Sequence, residues 1–152
     1  MSKRLDWDSY FMLSALFLAS RSTCSRAQVG TLLVKDKRII ASGYNGSVHG
    51  EEHCDDVGHL MVDNHCIRTV HSEVNAVTQC AKFGVETKDS TVYVTHFPCL
   101  NCTKTLIQAG VSEIFYLNDY RVDEYAMKLL TQTGIKLSKL TLESENLANY
   151  LN

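Results

Sequence analysis

The amino-terminal part of the chain has the pattern of one helix followed by two strands. Residues 6–20 carry apolar side chains in two stripes at helical spacing, which predicts a helix buried on most of its circumference. Residues 30–34 and 38–42 are strand-like, and the charged turn 35–37 between them predicts an antiparallel hairpin. Residues 43–69 then show no regular pattern. A loop of that length in a compact domain is usually functional, or contains an element that the pattern does not reveal.

The remainder of the chain alternates between helices and strands. Apolar spacing and glycine stops predict helices over residues 71–82, 99–109 and 123–133, strands over 91–95, 113–117 and 135–140, and a short helix at the carboxyl end. Strands connected through a helix normally pair in parallel, whereas a tight turn forces antiparallel pairing. The sequence therefore predicts an α/β fold, with a mixed five-stranded sheet and helices on both faces. We expect one domain over residues 1–152, with 43–69 as an insert.

Charge and composition narrow the class of protein. The 152 residues include 15 Lys and Arg against 17 Asp and Glu, which gives a formal net charge of −2. Proteins that coat nucleic acid or anionic membranes need a clustered excess of basic residues, so we expect neither partner. The longest apolar stretch, residues 10–19, has about half the length that spans a bilayer. We expect a cytoplasmic protein whose six cysteines are metal ligands or free thiols.

Two short segments carry the candidate chemistry, and each stands at the start of a predicted helix. One is H-S-E at 71–73 and the other is P-C-L-N-C at 98–102. Because both helices flank the same predicted strand, we expect His71, Cys99 and Cys102 to converge on one Zn²⁺. Residues two apart on a helix do not share a face, so this metal has to lie beyond the helix end. Three protein ligands leave one tetrahedral position open to water, which is typical of a catalytic zinc.

Each segment alone also has a less specific interpretation. A single H-x-E pattern is usually an ordinary helix start, and a single C-x-x-C motif is equally typical of a redox pair. A purely structural zinc would need a fourth Cys or His, which neither segment supplies. The combination of both segments indicates a catalytic site, in which Glu73 is the candidate proton carrier for the water.

The pattern H-x-E…P-C-x-x-C is the signature of the zinc-dependent nucleobase deaminases, and the chain resembles this superfamily over nearly its whole length. The resemblance implies a three-layer, cytidine-deaminase-like fold. It also implies that His71, Cys99 and Cys102 are the zinc ligands and that Glu73 is the proton shuttle. The position between His and Glu is more often Ala in the family, whereas here it is Ser72.

Within the superfamily, the chain most resembles the deoxycytidylate (dCMP) deaminases. The resemblance is carried by residues 24–30, 43–47, the Cys- and His-rich insert, 63–73, 96–99 and 119–121. It implies hydrolysis of dCMP to dUMP and ammonia for thymidylate synthesis, with Glu73 moving protons while water attacks C4 of the cytosine. It also implies activation by dCTP with Mg²⁺, inhibition by dTTP, and assembly into a homohexamer.

Further residues are candidates for contacts with the substrate and with regulators. Asn45 resembles the family residue that contacts the deoxyribose, although an Asn-Gly pair is also typical of a turn. A monophosphate requires cationic or N–H donors, for which Arg26, Arg68 and Arg121 are candidates. Arg26 and Arg121 are preferred, with Tyr120 as a hydroxyl donor. The alternative is that the arginines are solvated surface residues and that Tyr120 is an ordinary core or surface aromatic. The regulatory nucleotide segment resembles residues 43–56, with Gly43, Tyr44, Asn45, Gly46 and Asp55 as its candidates.

A second zinc site is expected in the insert. Cys24 and Cys54 match cysteines that bind a structural zinc in some family members, and the other ligands would come from His59, His65 and Cys66. A long loop with few apolar residues loses much conformational entropy when it is ordered, and a bound zinc would offset that loss. The alternative is a set of free cysteines and surface histidines.

Two other functions remain open at this stage. One is deamination of free (deoxy)cytidine or of adenosine in tRNA, although a tRNA enzyme should present a basic face. The other is a zinc module that binds nucleotides or partners without catalysis. The presence of Glu73 beside a three-ligand zinc argues against this last interpretation.

Overall fold

A five-stranded sheet forms the centre of the protein in the computed structural model, which describes residues 4–142. The elements in chain order are α1 (Trp7–Ala19), β1 (Gly30–Lys35), β2 (Arg38–Tyr44), β3 (Gly46–Ser47), α2 (Cys54–Val57), β4 (Met61–Val62), β5 (His65–Cys66), β6 (Thr69–Val70), α3 (Ser72–Phe83), β7 (Thr91–His96), α4 (Leu100–Gln108), β8 (Glu113–Asn118), α5 (Glu124–Thr133) and β9 (Lys136–Lys139). The short helix expected at the carboxyl end lies outside the described residues. Within those residues, every helix is too short or too polar to traverse a bilayer.

The strands of the central sheet follow the order β2-β1-β7-β8-β9. β1 pairs antiparallel with both β2 and β7, whereas β7, β8 and β9 are parallel to one another. The predicted mixed sheet of five strands is therefore confirmed. The expectation that strands joined through a helix pair in parallel holds for β7, β8 and β9. It fails for β2 and β7, because β1 of the preceding hairpin lies between them.

Helices cover both faces of the sheet, as predicted. Successive strand residues point to opposite faces, so Leu33 and Val92 face one layer and Leu32 and Tyr93 face the other. On the first face lie the buried side chains Ala76 and Cys80 of α3, Leu106 of α4 and Leu130 of α5. On the second face lie Phe11, Met12 and Ala15 of α1. The three layers of the fold are thus α3, α4 and α5, then the sheet, then α1.

The prediction that α1 is buried on most of its circumference is wrong. Phe11 and Met12 are buried against the sheet, whereas Trp7 is 51% exposed and Phe17 is 69% exposed. The apolar pattern is two-sided, but only one side of α1 faces the sheet. Trp7, Tyr10 and Phe17 on the other side are exposed.

The insert, residues 43–69, contains short elements that the sequence pattern did not reveal. β3 pairs with β6, and β4 pairs with β5 to form a small hairpin, while α2 is a single turn. Elements of two to four residues are too short to produce a periodic signal. Between residues 48 and 65, Cys54 is the only buried residue. The insert is therefore not held by an apolar core of its own.

Candidate active site and metal centres

The two predicted helix starts meet at one end of the sheet. His71 is the N-cap residue of α3, and Cys99 is the N-cap residue of α4. Both have extended backbone conformations, with ψ of 150° and 167°, so their side chains project off the helix ends. This geometry allows residues of one short segment to converge on a point that a regular helix face would not provide.

The side chains of His71, Cys99 and Cys102 form a compact donor set. The Nδ1 atom of His71 lies 3.4 Å from the Sγ atom of Cys102 and 3.6 Å from the Sγ atom of Cys99. Tetrahedral zinc with ordinary Zn–N and Zn–S bonds requires N···S separations of about 3.5 Å. The donor types and spacing therefore fit Zn²⁺, with three protein ligands and a fourth position available.

Electrostatics in this group favour a thiolate at Cys99. The hydrogen bond with Cys102 lowers the pKa of Cys99 to about 4, and the same contact together with burial raises the pKa of Cys102. A hydrogen bond with Cys99 raises the pKa of His71. Because the thiolate is the form of cysteine that binds metal, the acidic thiol of Cys99 is a ready ligand.

The Glu73 side chain lies beside the three donors and is 4% exposed. Burial raises the pKa of its carboxyl group, since desolvation disfavours the charged form. A raised pKa suits a carboxyl group that first accepts and then releases a proton. Glu73 therefore has both the location and the proton affinity of a proton carrier.

A pair of buried hydroxyl groups supports Glu73. The Ser72 hydroxyl donates a hydrogen bond to Oε2 of Glu73 at 3.2 Å, and it lies 2.7 Å from Oγ1 of Thr31. Because Ser72 donates to the carboxylate, it accepts from Thr31. Sequence reasoning treated Ser72 only as a departure from the family pattern and did not consider Thr31. No local signal in the sequence connects residues so far apart.

A pocket opens in front of the donor set. It is lined by Cys24, Arg26, Ala27, Val29, Asn45, Asn64, His65, Cys66, Thr69, His71, Ser72, Glu73, His96, Phe97, Cys99, Tyr120 and Arg121. All four residues predicted to contact the substrate, Arg26, Asn45, Tyr120 and Arg121, are among them. Sequence reasoning did not place Asn64 and Thr69 in the pocket, although both lie in the segment that carries the resemblance.

The predicted deoxyribose residue, Asn45, also supports the wall of the pocket. Its Oδ1 atom accepts from the backbone N–H of Val29 at 2.8 Å, and its Nδ2 atom donates to the Ala27 carbonyl at 2.6 Å. An amide oxygen has two lone pairs and an amide nitrogen has two protons, so each atom retains one position for a ligand. The structural role and the substrate role are therefore compatible.

The pocket rim is cationic. Arg26 and Arg121 are both exposed residues of the lining, and the Arg121 guanidinium stacks over the Tyr120 ring at 5.4 Å from its centroid. Tyr120 in turn packs edge-on against His96, with ring centroids 5.7 Å apart. Glu73 is the only acidic residue of the lining. The rim is thus suited to a substrate with an anionic substituent.

Comparisons with known proteins agree with this geometry. The chain matches the family model for the cytidine and deoxycytidylate deaminase zinc-binding region over residues 5–118. It belongs to this family. The prediction of a zinc-dependent deaminase fold is thereby confirmed. The donor set of Cys and His residues is compatible with the zinc-binding region that this family model describes.

Individual relatives include bacterial, yeast and viral proteins. ComE operon protein 2 of Bacillus subtilis is 49% identical over 141 residues, which cover 93% of this chain and 75% of that protein. Deoxycytidylate deaminase of Saccharomyces cerevisiae is 34% identical over 148 residues, 93% of this chain, but the chain spans only 47% of the yeast protein. The crystal structure of dCMP deaminase from the cyanophage S-TIM5, in complex with dCMP and dUMP, is 31% identical. It has a TM-score of 0.76, with 86% of this chain and 94% of that chain covered.

A second donor cluster lies in the insert. The Sγ atom of Cys24 is 3.5 Å from Nδ1 of His59, and the Sγ atoms of Cys54 and Cys66 are 3.5 Å apart. Donor atoms of all four residues lie within 4.8 Å of one another. Three sulfurs and one imidazole form a complete tetrahedral set for zinc. We call these four residues the insert cluster.

The structure does not bring His65, the fifth candidate ligand, into the insert cluster. His65 and Cys66 are adjacent residues of β5, and adjacent strand side chains point to opposite faces. The Cys66 sulfur belongs to the cluster, whereas the His65 side chain is exposed, and both residues line part of the pocket. The alternation within one short strand thus separates the two candidates.

The five candidates for a regulatory nucleotide site lie at the end of β2, in β3, at the residue between these two strands and in α2. Only Asn45 belongs to the pocket described above. Gly43 lies in β2 beneath α3, where a Cβ atom would come within 2.2 Å of the Ser72 carbonyl oxygen. Gly46 packs against the Tyr44 ring, and Asp55 is exposed on α2. The geometry gives the two glycines packing roles.

Proposed function

We propose that this protein hydrolyses dCMP to dUMP and ammonia with the aid of zinc. The observation that carries the proposal is the placement of buried Glu73 beside the donors of His71, Cys99 and Cys102, at the base of a pocket with a cationic rim. Relatives named deoxycytidylate deaminases support the substrate, and so does the cyanophage structure, which holds dCMP and dUMP.

The chemistry requires a nucleophile at neutral pH and a group that moves protons. His71, Cys99 and Cys102 would hold zinc, which would lower the pKa of a water in the remaining position to about 7. Glu73 accepts a proton from the attacking water and delivers it to N3 of the pyrimidine. A second proton passes through Glu73 to the 4-amino group, so that a C4–O bond forms, the C4–N bond breaks and ammonia leaves.

The residues around Glu73 orient the substrate. The Ser72 hydroxyl occupies Oε2, which leaves Oε1 of Glu73 to face the reacting ring. Asn45 offers its remaining donor and acceptor to the deoxyribose. Arg26 and Arg121 provide charge-assisted hydrogen bonds to the phosphate, and the Tyr120 hydroxyl adds a neutral donor. This distribution of contacts favours a nucleoside monophosphate over a nucleoside.

Ammonia release from a panel of substrates tests the function. The zinc-loaded protein is incubated with dCMP, CMP, deoxycytidine, single-stranded oligonucleotides and tRNA, and we expect the highest kcat/KM for dCMP. Equal values for dCMP and deoxycytidine would instead indicate a nucleoside deaminase. Bound zinc without turnover of any of these compounds would indicate a non-catalytic nucleotide-binding module.

Replacing Glu73 tests its role as the proton carrier. We expect Glu73→Gln to lower kcat roughly 10²- to 10⁴-fold, because the amide cannot transfer the proton. Zinc content by atomic emission should be unchanged, since Glu73 is not a ligand in this proposal. The exposed Glu52 provides a matched control, and Glu52→Gln should retain full activity. An active Glu73→Gln variant would contradict the proposed mechanism.

We further propose that the insert cluster holds a structural zinc. Four ligands close the tetrahedron, and in residues 48–65 no buried side chain other than Cys54 is present to order the segment. Burial raises the pKa of Cys54 to about 12. Burial also acts on Cys66, but hydrogen bonds from the backbone N–H groups of Arg68 and Leu60 lower its pKa to about 6. A cation would offset the cost of burying the Cys54 thiolate.

Metal analysis tests the second site. We expect two zinc ions per chain in the unmodified protein and one in His59→Ala, because three remaining ligands bind more weakly. His53 is exposed and lies outside the cluster, so His53→Ala is the matched control and should retain two. One zinc per chain in the unmodified protein would remove the second site from the proposal.

The regulatory part of the proposal rests on family resemblance. It comprises activation by dCTP with Mg²⁺, inhibition by dTTP, a homohexamer, a cytoplasmic location and the supply of dUMP to thymidylate synthesis. Activity is measured with dCTP and Mg²⁺ and with dTTP, and mass by sedimentation equilibrium. Activity that responds to neither nucleotide would remove regulation from the proposal, and a monomer mass would remove the hexamer.

A further inference from the structure

The insert cluster and the active site share one pocket. Cys24 and Cys66 of the insert cluster line the pocket that also contains His71, Glu73 and Cys99. The insert therefore does more than extend the surface of the protein, since the residues between its metal ligands form one wall of the site. Arg26 is the pocket residue that makes hydrogen bonds to this wall.

Arg26 is held entirely by segments that the insert cluster ties together. It follows Cys24 by two positions, and its Nη1 atom lies 3.0 Å from Sδ of Met61 and 3.5 Å from the Asn64 carbonyl oxygen. Met61 and Asn64 lie between the ligands at positions 59 and 66. Cys24 is therefore close to Arg26 in the chain, and His59 and Cys66 flank the two residues that Arg26 contacts.

The Arg26 guanidinium has no carboxylate partner among the described residues, where the ion pairs are Lys35–Glu86 and Lys139–Asp119. Its two contacts are with a thioether and a carbonyl oxygen, neither of which neutralises its charge. An anion at the pocket rim would therefore find an uncompensated cation with donors still available.

The β4–β5 hairpin has little to hold it in place apart from the metal ligands at its ends. β4 and β5 pair only with each other, and two-stranded hairpins are marginally stable in isolation. Asp63 and Asn64 form its turn, with φ of 47° and 63°, and residues 60–65 are all exposed. Its position against Arg26 is consequently set by His59 and Cys66.

We propose that the insert cluster, with its metal bound, determines substrate selection by positioning Arg26 for the 5′-phosphate. The metal holds the β4–β5 hairpin, the hairpin holds the guanidinium at the rim, and the guanidinium binds the phosphate. This inference rests on the proposed deamination of dCMP. The insert metal takes no part in the chemistry at C4. Its loss should therefore weaken the binding of dCMP and leave the reaction of deoxycytidine, which has no phosphate, unaffected.

The experiment compares dCMP with deoxycytidine in four proteins: the unmodified chain, His59→Ala, Arg26→Ala and the double variant. We expect His59→Ala to raise KM for dCMP roughly 10- to 100-fold, the range for a lost hydrogen bond to a charged group. Its kcat for dCMP and its kcat/KM for deoxycytidine should be unchanged. Arg26→Ala should raise KM for dCMP at least as much, and the double variant should be no worse than Arg26→Ala alone.

Two additional measurements keep the test independent of turnover and of folding defects. Calorimetric titration with dCMP and with deoxycytidine, carried out with Glu73→Gln in every protein to prevent turnover, should show the same selective loss, and metal analysis should show that the catalytic zinc is retained. His59→Cys restores four ligands, since Cys₄ zinc sites are common, and should restore both the second zinc and the preference for dCMP. His53→Ala is the matched histidine control.

The outcomes separate this inference from the proposed function. If the unmodified protein neither binds nor converts either compound, the deaminase function is wrong and the inference fails with it. If the unmodified protein prefers dCMP but His59→Ala loses its second zinc without losing that preference, the inference alone is wrong. A loss that affects dCMP and deoxycytidine equally, or that adds fully to the effect of Arg26→Ala, also overturns it.

Discussion

At the scale of single residues, the orientation of Glu73 depends on a hydrogen-bonded chain through the core. Thr31 and Ser72 are both fully buried, and their hydroxyl groups have each other and the carboxylate as partners. A buried hydroxyl group without a partner costs about 1–3 kcal/mol. The chain from Thr31 to Glu73 is therefore a coupled unit, in which the loss of one member affects the next.

The coupling between these hydroxyl groups can be measured by a double-mutant cycle. We expect Ser72→Ala to lower the free energy of unfolding by about 1–3 kcal/mol, since it leaves the Thr31 hydroxyl unpaired. Thr31→Val should have a similar effect, and the double variant should lose less than the sum, because neither polar group is then left alone. Urea unfolding gives the three values. Strict additivity would show that the two hydroxyl groups do not interact.

The proposed catalytic residues differ from the residues that support them in how far the sequence predicts each group. The motifs identify His71, Glu73, Cys99 and Cys102 because each motif places its donors within a few residues at a helix start. Thr31 escapes this reasoning, since its link to residue 72 arises from the packing of β1 against α3. The choice of Cys66 over His65 escapes it as well, because a two-residue strand leaves no pattern from which its faces can be assigned.

At the scale of elements, two glycines allow helices to approach the sheet closely. A Cβ atom on Gly30 would lie 2.0 Å from the carbonyl oxygen of Ala15 in α1, and one on Gly43 would lie 2.2 Å from that of Ser72 in α3. Both contacts are with backbone atoms, so relief requires a shift of the whole helix. Of these two helices, α3 carries Glu73 on its first turn and has His71 as its N-cap, whereas α1 contributes no residue to the pocket lining.

Alanine at these two positions should separate stability from activity. We expect Gly30→Ala and Gly43→Ala each to lower the free energy of unfolding by about 1–3 kcal/mol, the usual cost of overpacking. Gly43→Ala should also lower kcat, because the start of α3 positions His71 and Glu73, whereas folded Gly30→Ala should retain kcat. Thermal unfolding and steady-state kinetics give both quantities, and equal kcat values would contradict the argument.

The order of helices and strands was predictable because each segment contains a local signal. The pairing of the strands was harder to predict. The hairpin of β1 and β2 follows from its charged turn, and the later strands follow from β-branched runs between helices. The insertion of β1 between β2 and β7 is a tertiary choice that no segment encodes alone. The apolar pattern of α1 likewise has two sides and does not indicate which of them is buried. That is decided by the sheet, against which only one side of α1 packs.

At the scale of the whole molecule, two kinds of stabilisation operate in different regions. The sheet and its helices are held by two apolar clusters, one on each face. The insert contributes no residue between 48 and 65 to either cluster, and its one buried side chain in that range is the candidate ligand Cys54. Unfolding of the insert should therefore be separable from unfolding of the sheet.

Removal of metal provides the test of this separation. With a strong chelator, we expect proteolytic cleavage to begin within residues 48–65, because cleavage follows local opening and this segment loses its ligand-held contacts. Far-UV circular dichroism should change little, since the sheet and α1, α3, α4 and α5 keep their apolar contacts. His59→Ala should show the same cleavage without chelator, whereas His53→Ala should resist until chelator is added. Cleavage that begins in the sheet, or an insert that resists protease without metal, would mean that contacts other than the cluster hold it.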